Sequence, residues 1–264
     1  MHGRSACLAR AVSDDAAHWQ VGVIAAVRSL LTFVSVALYI ATIGPLALAL
    51  ALAFDSRKLL YRAGHAGVRL GLFLSGIRAR IVGRDRIQRN RAAVYAVNHT
   101  SNVEPPVIFD TLHELFPRLR ILYKAELRKL PVLVRAFDLA GFVPLERGNP
   151  EQSLPAVDRA AEALREGNSF LIFPEGTRSR TGELLPFKKG GFIMAIKAQA
   201  PVVPVAVSGA RNAMRKGSLI IHPVDVRVSF GEPVETTGLT IDDRDWLVDT
   251  VRQRVAALLA EPGC

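Results

Sequence analysis

The longest hydrophobic run of the chain lies near its N-terminus. Ser29 to Phe54 is a stretch of 26 residues without Asp, Glu, Lys or Arg, whereas a helix that crosses a bilayer needs about 20 predominantly apolar residues. Extending the run back to Val21 adds only Arg28. A buried core helix of this length does not suit so small a domain, and a cleaved signal peptide has a shorter apolar region. The pattern therefore predicts an N-terminal membrane-embedded helical segment.

Two features of this region leave its path open. Gly44-Pro45 interrupts the run, and proline inside a helix removes a hydrogen bond and clashes with the preceding turn. The segment is therefore either a kinked single span or two short helices that re-enter one leaflet. A second, shorter apolar stretch at 66–77 contains one arginine and is typical of an interfacial helix. We predict an N-terminal tail at 1–20 and a membrane anchor with interfacial helices at 21–76.

After the anchor, short apolar runs alternate with amphipathic stretches. This alternation predicts an α/β fold, in which helices flank one sheet, for a domain at 77–264. The predicted strands are Ile77–Val82, Ala93–Val97, Leu119–Tyr123, Gly141–Val143, Phe170–Phe173, Val202–Val207, Leu219–Ile221 and Val226–Phe230, with the last two as a candidate hairpin. The predicted helices are Pro105–Phe116, Leu127–Phe137, Pro150–Glu166, Gly191–Gln199 and Asp242–Ala260.

Composition and charge narrow the class of protein. The 264 residues are 50% hydrophobic and 22% charged, which is typical of a globular protein. Cys7 and Cys264 stand at opposite ends and provide no disulfide framework, so a reducing compartment fits. Most of the net charge of +10 comes from residues 57–91, with ten bases and only Asp85 as an acid. A basic block after an apolar run favours an anionic membrane surface on the cytoplasmic side.

We therefore expect the domain on the cytoplasmic face of a membrane, of the bacterial inner-membrane type. Nucleic-acid binding through the basic block is the alternative. Aromatic residues make up only 7% of the chain, and no nucleic-acid recognition motif is present.

The first candidate for chemistry is the stretch NHTSNVEPP at 98–106. His99 follows a predicted strand, and Glu104 comes five residues later at the start of a predicted helix. The two side chains can meet only if the chain turns between them, which Ser101 and Asn102 favour. A carboxylate held against an imidazole fixes its tautomer and raises its basicity, as required for a histidine that deprotonates a hydroxyl. The alternative is a surface histidine beside an acid that caps a helix.

The second candidate is FPEGTRSRTG at 173–182, directly after the most apolar predicted strand. Gly176 favours a turn that presents backbone N–H groups, and Thr177 offers a hydroxyl. Arg178 can bind a phosphate through two N–H groups, and two lysines at 188–189 add positive charge. This composition predicts a phosphate site, with a solvated basic loop as the alternative.

Motifs for other mechanisms are absent from the sequence. There is no GxSxG for a serine nucleophile, no histidine pair with metal spacing, and no Walker or GxGxxG loop. A histidine–acid pair without a nucleophile motif indicates that the hydroxyl of a substrate itself attacks.

Taken in order, the motifs resemble those of the 1-acylglycerol-3-phosphate acyltransferase family, within the glycerolipid acyltransferases. NHTSNVEPP resembles its His-x4-Asp block, and FPEGTRS resembles its third and most specific block. GFVPLERG at 141–148 resembles the second block, with Arg147 at the glycerophosphate-binding position. VVPVAVSG at 202–209 resembles the fourth block, with Pro204 at the proline of the family. The resemblance covers roughly 77–230 and implies a mixed sheet flanked by helices.

The resemblance also implies a reaction. An acyl group would pass from acyl-CoA or acyl-carrier protein to the free hydroxyl of 1-acylglycerol 3-phosphate, a lysophospholipid, giving phosphatidic acid at the membrane without a cofactor or a metal. His99, oriented by Glu104, would be the general base, and Pro204 would shape the acyl-chain side. The residues expected to hold the glycerol phosphate are Arg147, Glu175, Gly176, Thr177 and Arg178.

One departure from the family pattern leaves the acceptor open. Glu104 stands where the family usually has Asp, which weakens the substrate assignment more than the reaction type. The alternatives are another acceptor, such as glycerol 3-phosphate, a lyso-aminolipid or another lysophospholipid, and an inactive membrane-tethered lipid-binding protein.

Overall fold

A helical hairpin opens the fold. The computed structural model describes residues 3–129, 131–145 and 150–261. Helix α1 (Gly3–Ala53) is followed after three residues by helix α2 (Arg57–Ser75). The helices run antiparallel, because Val36 of α1 lies beside Gly71 and Tyr39 lies beside Gly67. A Cβ atom at Gly67 would lie only 2.7 Å from the Tyr39 ring, so this glycine permits the close packing of the two helices.

Helix α1 continues through Pro45, so the chain does not break at Gly44-Pro45 and instead reverses direction at 54–56. Within α1, Gly22–Ala53 is long and apolar enough to cross a membrane, and most of its large side chains are exposed. The helix begins at Gly3 and therefore includes most of the segment predicted as a tail, where alanines favour helix.

The described residues after the hairpin form a mixed seven-stranded sheet flanked by helices, as predicted. Its order is β1-β7-β6-β2-β5-β3-β4, and every neighbouring pair is parallel except β6 and β7. The strands are β1 (Arg78–Val82), β2 (Val94–Val97), β3 (Leu119–Lys124), β4 (Val143–Leu145), β5 (Ser169–Ile172), β6 (Val202–Ser208) and β7 (Asp225–Phe230).

Helices cover both faces of this sheet. The inner strands β2 and β5 are buried at every position and consist mostly of apolar residues, as expected for strands that are covered on both sides. Along β2, Val94 and Ala96 face one core, whereas Tyr95 and Val97 face the other. The helices are α3 (Glu104–Thr111), α4 (Pro131–Ala140), α5 (Pro150–Arg165), α6 (Gly190–Ala198), α7 (Ala210–Ala213) and α8 (Arg244–Ala260). Helices α5, α6 and α8 pack on the Ala96 side, and α3 and α7 pack on the Tyr95 side.

The predicted strand at 219–221, and with it the predicted hairpin, is wrong. Strand β7 pairs with β1 and β6, and residues 219–221 belong to no strand. The backbone N–H of Ile221 donates to Oγ of Ser29 in α1 at 2.7 Å. This N–H is therefore not available for a hydrogen bond to a neighbouring strand. The predicted helix at 105–116 is also shorter, because it ends at Thr111 and a 3₁₀ turn follows at His113–Leu115.

The basic block at 57–91 is partly neutralised in the fold. Arg84 and Arg89 both form ion pairs with Glu114. Two further arginines pair with acids from distant parts of the chain, in the pairs Arg86–Glu232 at 2.7 Å and Arg91–Glu235 at 2.6 Å. Part of the basic charge that we predicted to face a membrane surface therefore forms ion pairs within the domain instead.

Candidate active site

Sheet topology brings the two sequence candidates together. Strand β2 lies beside β5 in parallel orientation, with Ala96 opposite Ile172. The carboxyl ends of parallel strands meet at one edge of a sheet, where ligand sites of α/β folds commonly lie. The loop with His99 and the loop that begins at Phe173 are therefore neighbours. The centroids of the His99 and Phe173 rings lie 4.5 Å apart.

His99 and Glu104 form the pair that the sequence predicts. The Nδ1 atom of His99 lies 2.7 Å from Oε2 of Glu104, with the carboxylate side chain 0% and the imidazole 17% exposed. Because an ionised carboxylate can only accept, Nδ1 carries the proton and Nε2 is left with a lone pair. This arrangement suits a base that removes a proton from a hydroxyl.

Thr100 ties the Glu104 carboxylate to the loop, a contact that sequence reasoning missed. Its backbone N–H lies 2.9 Å and 2.8 Å from the two carboxylate oxygens, and its hydroxyl donates to Oε1 at 2.5 Å. These donors bring the chain back on itself between His99 and Glu104, which provides the required turn. The signal was available in the motif itself, because threonine hydroxyls commonly bind nearby acceptors in turns.

Glu175 has a different place from the one expected for a phosphate ligand. It is 3% exposed, its Oε1 accepts the backbone N–H of His99 at 2.5 Å, and its Oε2 accepts that of Leu185 at 3.0 Å. Burial raises the pKa of the Glu175 carboxyl above its ordinary value of 4.5, against the effect of these two donors. Both oxygens of this buried carboxylate therefore accept backbone donors, one of them from the His99 loop, and the role of Glu175 in holding the glycerol phosphate stays a prediction.

The loop after β5 offers groups suited to an anion. Gly176 has φ +69°, a backbone conformation that favours glycine, and a Cβ there would lie 2.8 Å from Cε of the flexible Lys188 side chain. The N–H of Gly176 itself donates to the carbonyl of Phe173 at 3.0 Å, so it does not point to a ligand as the sequence predicted. The backbone N–H groups of Thr177 and Arg178, and the Arg178 guanidinium, find no acceptor within the described part of the chain.

Lys216 also contacts this loop, from a segment 38 residues further along the chain. Its Nζ donates to the carbonyl of Arg178 at 2.9 Å and lies 3.3 Å from Oγ1 of Thr177. It therefore holds the backbone at Thr177 and Arg178 while adding positive charge. No motif marks Lys216 in the sequence, because the contact depends on the path of the chain after β6.

An apolar cavity of about 950 Å³ adjoins the His99 loop. Its walls come mainly from α1, α2, α3 and α4, and Asn102, Val103 and Met214 line it near the loop. Ser101 connects the His99 loop to the cavity wall, because its hydroxyl donates to the carbonyl of the wall residue Met214 at 2.7 Å. A cavity of this size and lining fits a hydrocarbon chain.

Pro204, which the family motif assigns to the acyl-chain side, does not line this cavity. It is buried in β6 opposite Ala96, and a Cβ added at Gly231 would meet both Pro204 and Leu258 of α8. The Pro204 carbonyl accepts the N–H of Gly231 at 2.8 Å. The ring nitrogen of Pro204, which has no hydrogen to donate, therefore faces the same side as this carbonyl. On that side β7 has already ended at Phe230, so the sheet needs no N–H donor from Pro204. These contacts place Pro204 inside the sheet, and its role on the acyl-chain side stays a prediction.

Two further expectations concern ligands. Arg147 lies outside the described residues, so its phosphate-binding role stays a prediction. Among the residues that the structure describes, no group of three or more His, Cys, Asp or Glu could hold a metal ion.

Comparison with known proteins identifies the class of this domain. Residues 78–208 match the family model described as Acyltransferase, so this domain belongs to the acyltransferase family. The match includes both candidate loops, with His99, Glu104 and 173–182.

Particular relatives narrow the comparison. The chain is 33% identical over 184 residues to the 1-acyl-sn-glycerol-3-phosphate acyltransferase of Limnanthes douglasii, which covers 69% of this chain and 63% of the relative. It is 33% identical over 185 residues to 1-acyl-sn-glycerol-3-phosphate acyltransferase beta of Homo sapiens, covering 69% and 65%. The chain thus spans slightly less than two thirds of the length of these relatives.

A solved structure extends the likeness to the N-terminal hairpin. The crystal structure of the 1-acyl-sn-glycerophosphate acyltransferase PlsC from Thermotoga maritima is similar with a TM-score of 0.76 and 25% identity. It covers 92% of this chain and 100% of that one.

Proposed function

We propose that the protein is an O-acyltransferase that moves an acyl group from acyl-CoA or acyl-carrier protein to the free hydroxyl of 1-acylglycerol 3-phosphate. The observation that carries this proposal is the pairing of His99 with a fully buried Glu104, next to the cationic loop at 176–178. Acyl transfer to a hydroxyl needs a base for that hydroxyl, and a phosphate-bearing acceptor needs a cationic partner.

The reaction begins at Nε2 of His99. This nitrogen takes the proton of the acceptor hydroxyl while Glu104 stabilises the imidazolium that forms. The freed oxygen attacks the thioester carbonyl, the tetrahedral intermediate expels the thiolate, and the thiolate receives the proton from His99. The products are phosphatidic acid and a free thiol, and the histidine returns to its starting state without a cofactor or a metal.

The acceptor phosphate binds at the loop after β5. The Arg178 guanidinium and the N–H groups of Thr177 and Arg178 are the donors, with the ammonium groups of Lys188 and Lys216 nearby. Guanidinium pairs with phosphate through two parallel hydrogen bonds and is well suited to this task. Arg147 joins this set on the strength of the family motif.

An acyl chain occupies the apolar cavity beside Asn102 and Val103. Each buried CH₂ group contributes about 0.8 kcal/mol, so a long chain gains substantial binding energy there. Because α1 forms one wall of the cavity and is itself apolar and exposed, the substrate can reach the cavity from lipid. This placement supports membrane attachment through the α1–α2 hairpin, with the domain on the cytoplasmic face of a membrane such as the bacterial inner membrane.

An acyl-transfer assay with the purified full chain tests the proposal. Acceptors are 1-acylglycerol 3-phosphate, glycerol 3-phosphate, a lyso-aminolipid and another lysophospholipid, each with acyl-CoA and with acyl-carrier protein, and both thiol release and product lipid are measured. The proposal predicts the highest kcat/KM for 1-acylglycerol 3-phosphate. A higher value for another acceptor would reassign the substrate, and binding without thiol release would indicate a lipid-binding protein.

A further inference from the structure

The segment between α7 and β7 connects several parts of the fold that the reaction needs. Residues 214–224, here called the 214–224 segment, contain no helix or strand. Met214 accepts the Ser101 hydroxyl next to His99, and Lys216 donates to the Arg178 carbonyl in the candidate phosphate loop. The segment is thus bound to both halves of the candidate site.

The same segment is attached to the helical hairpin at its other end. The N–H of Ile221 donates to Oγ of Ser29 at 2.7 Å, at the first residue of the charge-free part of α1. A Cβ at Gly76, directly after α2, would lie 2.9 Å from Cβ of Pro223. The segment therefore joins the apolar hairpin to the site.

Between these attachments the segment exposes two large apolar side chains. Leu219 is 73% and Ile220 is 36% exposed, although Ile221 beside them is buried. Single exposed apolar residues are common and need no explanation. Here the exposed pair is anchored beside Ser29, and Phe33, one turn further along the same face of α1, is also apolar and 41% exposed. The segment therefore presents its exposed apolar pair beside an apolar helix.

Charge supports a lipid surface as the partner of this patch. Arg215 is exposed and Lys216 partly exposed, only a few residues before Leu219. Apolar side chains that enter the acyl region, with Lys or Arg at the level of anionic headgroups, are the pattern of an interfacial membrane contact.

We propose that Leu219 and Ile220 insert into the leaflet that holds α1, so that the 214–224 segment is a second membrane contact tied directly to the phosphate-binding loop. The assignment rests on the proposed function for the lipid character of the substrate. Membrane docking then fixes Lys216, and through it the backbone at Thr177 and Arg178, where the acceptor headgroup arrives.

Lipid-quenching fluorescence tests the insertion directly. The full chain with Cys7→Ser and Cys264→Ser receives a single cysteine by Leu219→Cys, labelled with an environment-sensitive dye. Leu154→Cys is the matched control, because Leu154 is 50% exposed on α5, on the opposite face of the sheet. Both proteins are reconstituted in vesicles of phosphatidylglycerol and phosphatidylethanolamine that contain lipids with a nitroxide on the acyl chain.

The proposal predicts several-fold stronger quenching and a larger blue shift at 219 than at 154. Equal quenching at the two positions would overturn it. A blue shift at 219 that depends on protein concentration and is independent of vesicles would also overturn it, in favour of contact between two copies of the chain.

A kinetic measurement separates this proposal from the proposed function. The double variant Leu219→Ser with Ile220→Ser is expected to raise KM for a long-chain acceptor in vesicles more than KM for a short-chain acceptor dissolved as monomers, and Leu154→Ser is expected to alter neither. Equal effects on both acceptors would contradict an insertion role. If the wild-type chain transfers no acyl group at all, the proposed function fails, whereas the quenching result still decides the insertion.

Discussion

Oε1 of Glu175 lies 2.5 Å from the backbone nitrogen of His99, so the most specific motif of the sequence holds the loop of the candidate base. The contact is reinforced by the N–H of Ser179, which donates to the carbonyl of His99 at 2.8 Å. The two loops therefore act as one unit. A change in the second loop is expected to reach the proton-transfer step even where it touches no substrate.

Glu175→Gln tests this positioning role. An amide has only one acceptor oxygen, so either the N–H of His99 or that of Leu185 would face an NH₂ group. An unsatisfied buried donor costs about 1–3 kcal/mol, and we expect kcat to fall about tenfold or more, with a smaller change in KM for the acceptor. The control is Glu183→Gln, an exposed acid in the same loop. A pure rise in KM would instead make Glu175 a substrate ligand.

Variants of Glu104 separate the role of charge from that of shape. Glu104→Gln keeps the shape but removes the anion that stabilises the imidazolium, so we expect acyl-transfer kcat to fall about 10²-fold. Glu104→Asp keeps the charge and is expected to retain more activity than Glu104→Gln. Steady-state rates of the three proteins, with folding checked by circular dichroism, make the comparison. Equal activity in all three proteins would indicate that the carboxylate only caps the helix and takes no part in the reaction.

Arg178→Ala is expected to act on acceptor binding. Loss of a charged hydrogen bond costs about 1.5–3 kcal/mol, which corresponds to a rise of about 10-fold to 100-fold in KM for 1-acylglycerol 3-phosphate. Arg159→Ala is the control, because Arg159 is exposed on α5. The KM for the thioester donor should change little. An unchanged acceptor KM would place the phosphate site elsewhere.

Glu114 gives a pH-dependent contribution to stability. Hydrogen bonds from Arg89 and Arg84 hold the pKa of its carboxyl below the ordinary value of 4.5. A depressed carboxyl pKa stabilises the folded state above the unfolded pKa and loses this effect as pH falls through the folded pKa. We expect Glu114→Gln to lower the free energy of unfolding at pH 7, with the difference from wild type shrinking below about pH 4.5. A difference that does not change with pH would exclude the ion pairs as its source.

Local patterns predicted most of the fold. The apolar run predicted α1, and the alternation of strands and helices predicted an α/β sheet. The hairpin at 219–230 failed because Ile221 donates to Ser29, a partner 192 residues away that no local pattern contains. Pro204 was assigned to the acyl-chain side from its motif alone, whereas the strand register that turns it towards α8 appears only in the folded sheet.

The site was predictable only where its residues are close in sequence. His99 and Glu104 lie five residues apart, and a single turn suffices to join them. Lys216 contacts Arg178 across 38 residues, and the role of Glu175 depends on two strands being neighbours. The sequence provides the chemical groups, but the sheet order decides which of them face substrate and which hold the loop.

The most direct measurement of the central claim is the rate of acyl transfer to 1-acylglycerol 3-phosphate by His99→Ala. The control is His113→Ala, which removes an exposed histidine outside the site. A positioned general base contributes about 10²–10⁴-fold, so we expect the His99 variant to lose at least 10²-fold in kcat with its fold intact and the His113 variant to keep its rate. A His99→Ala protein within about tenfold of wild type would contradict this account and remove the imidazole from the reaction.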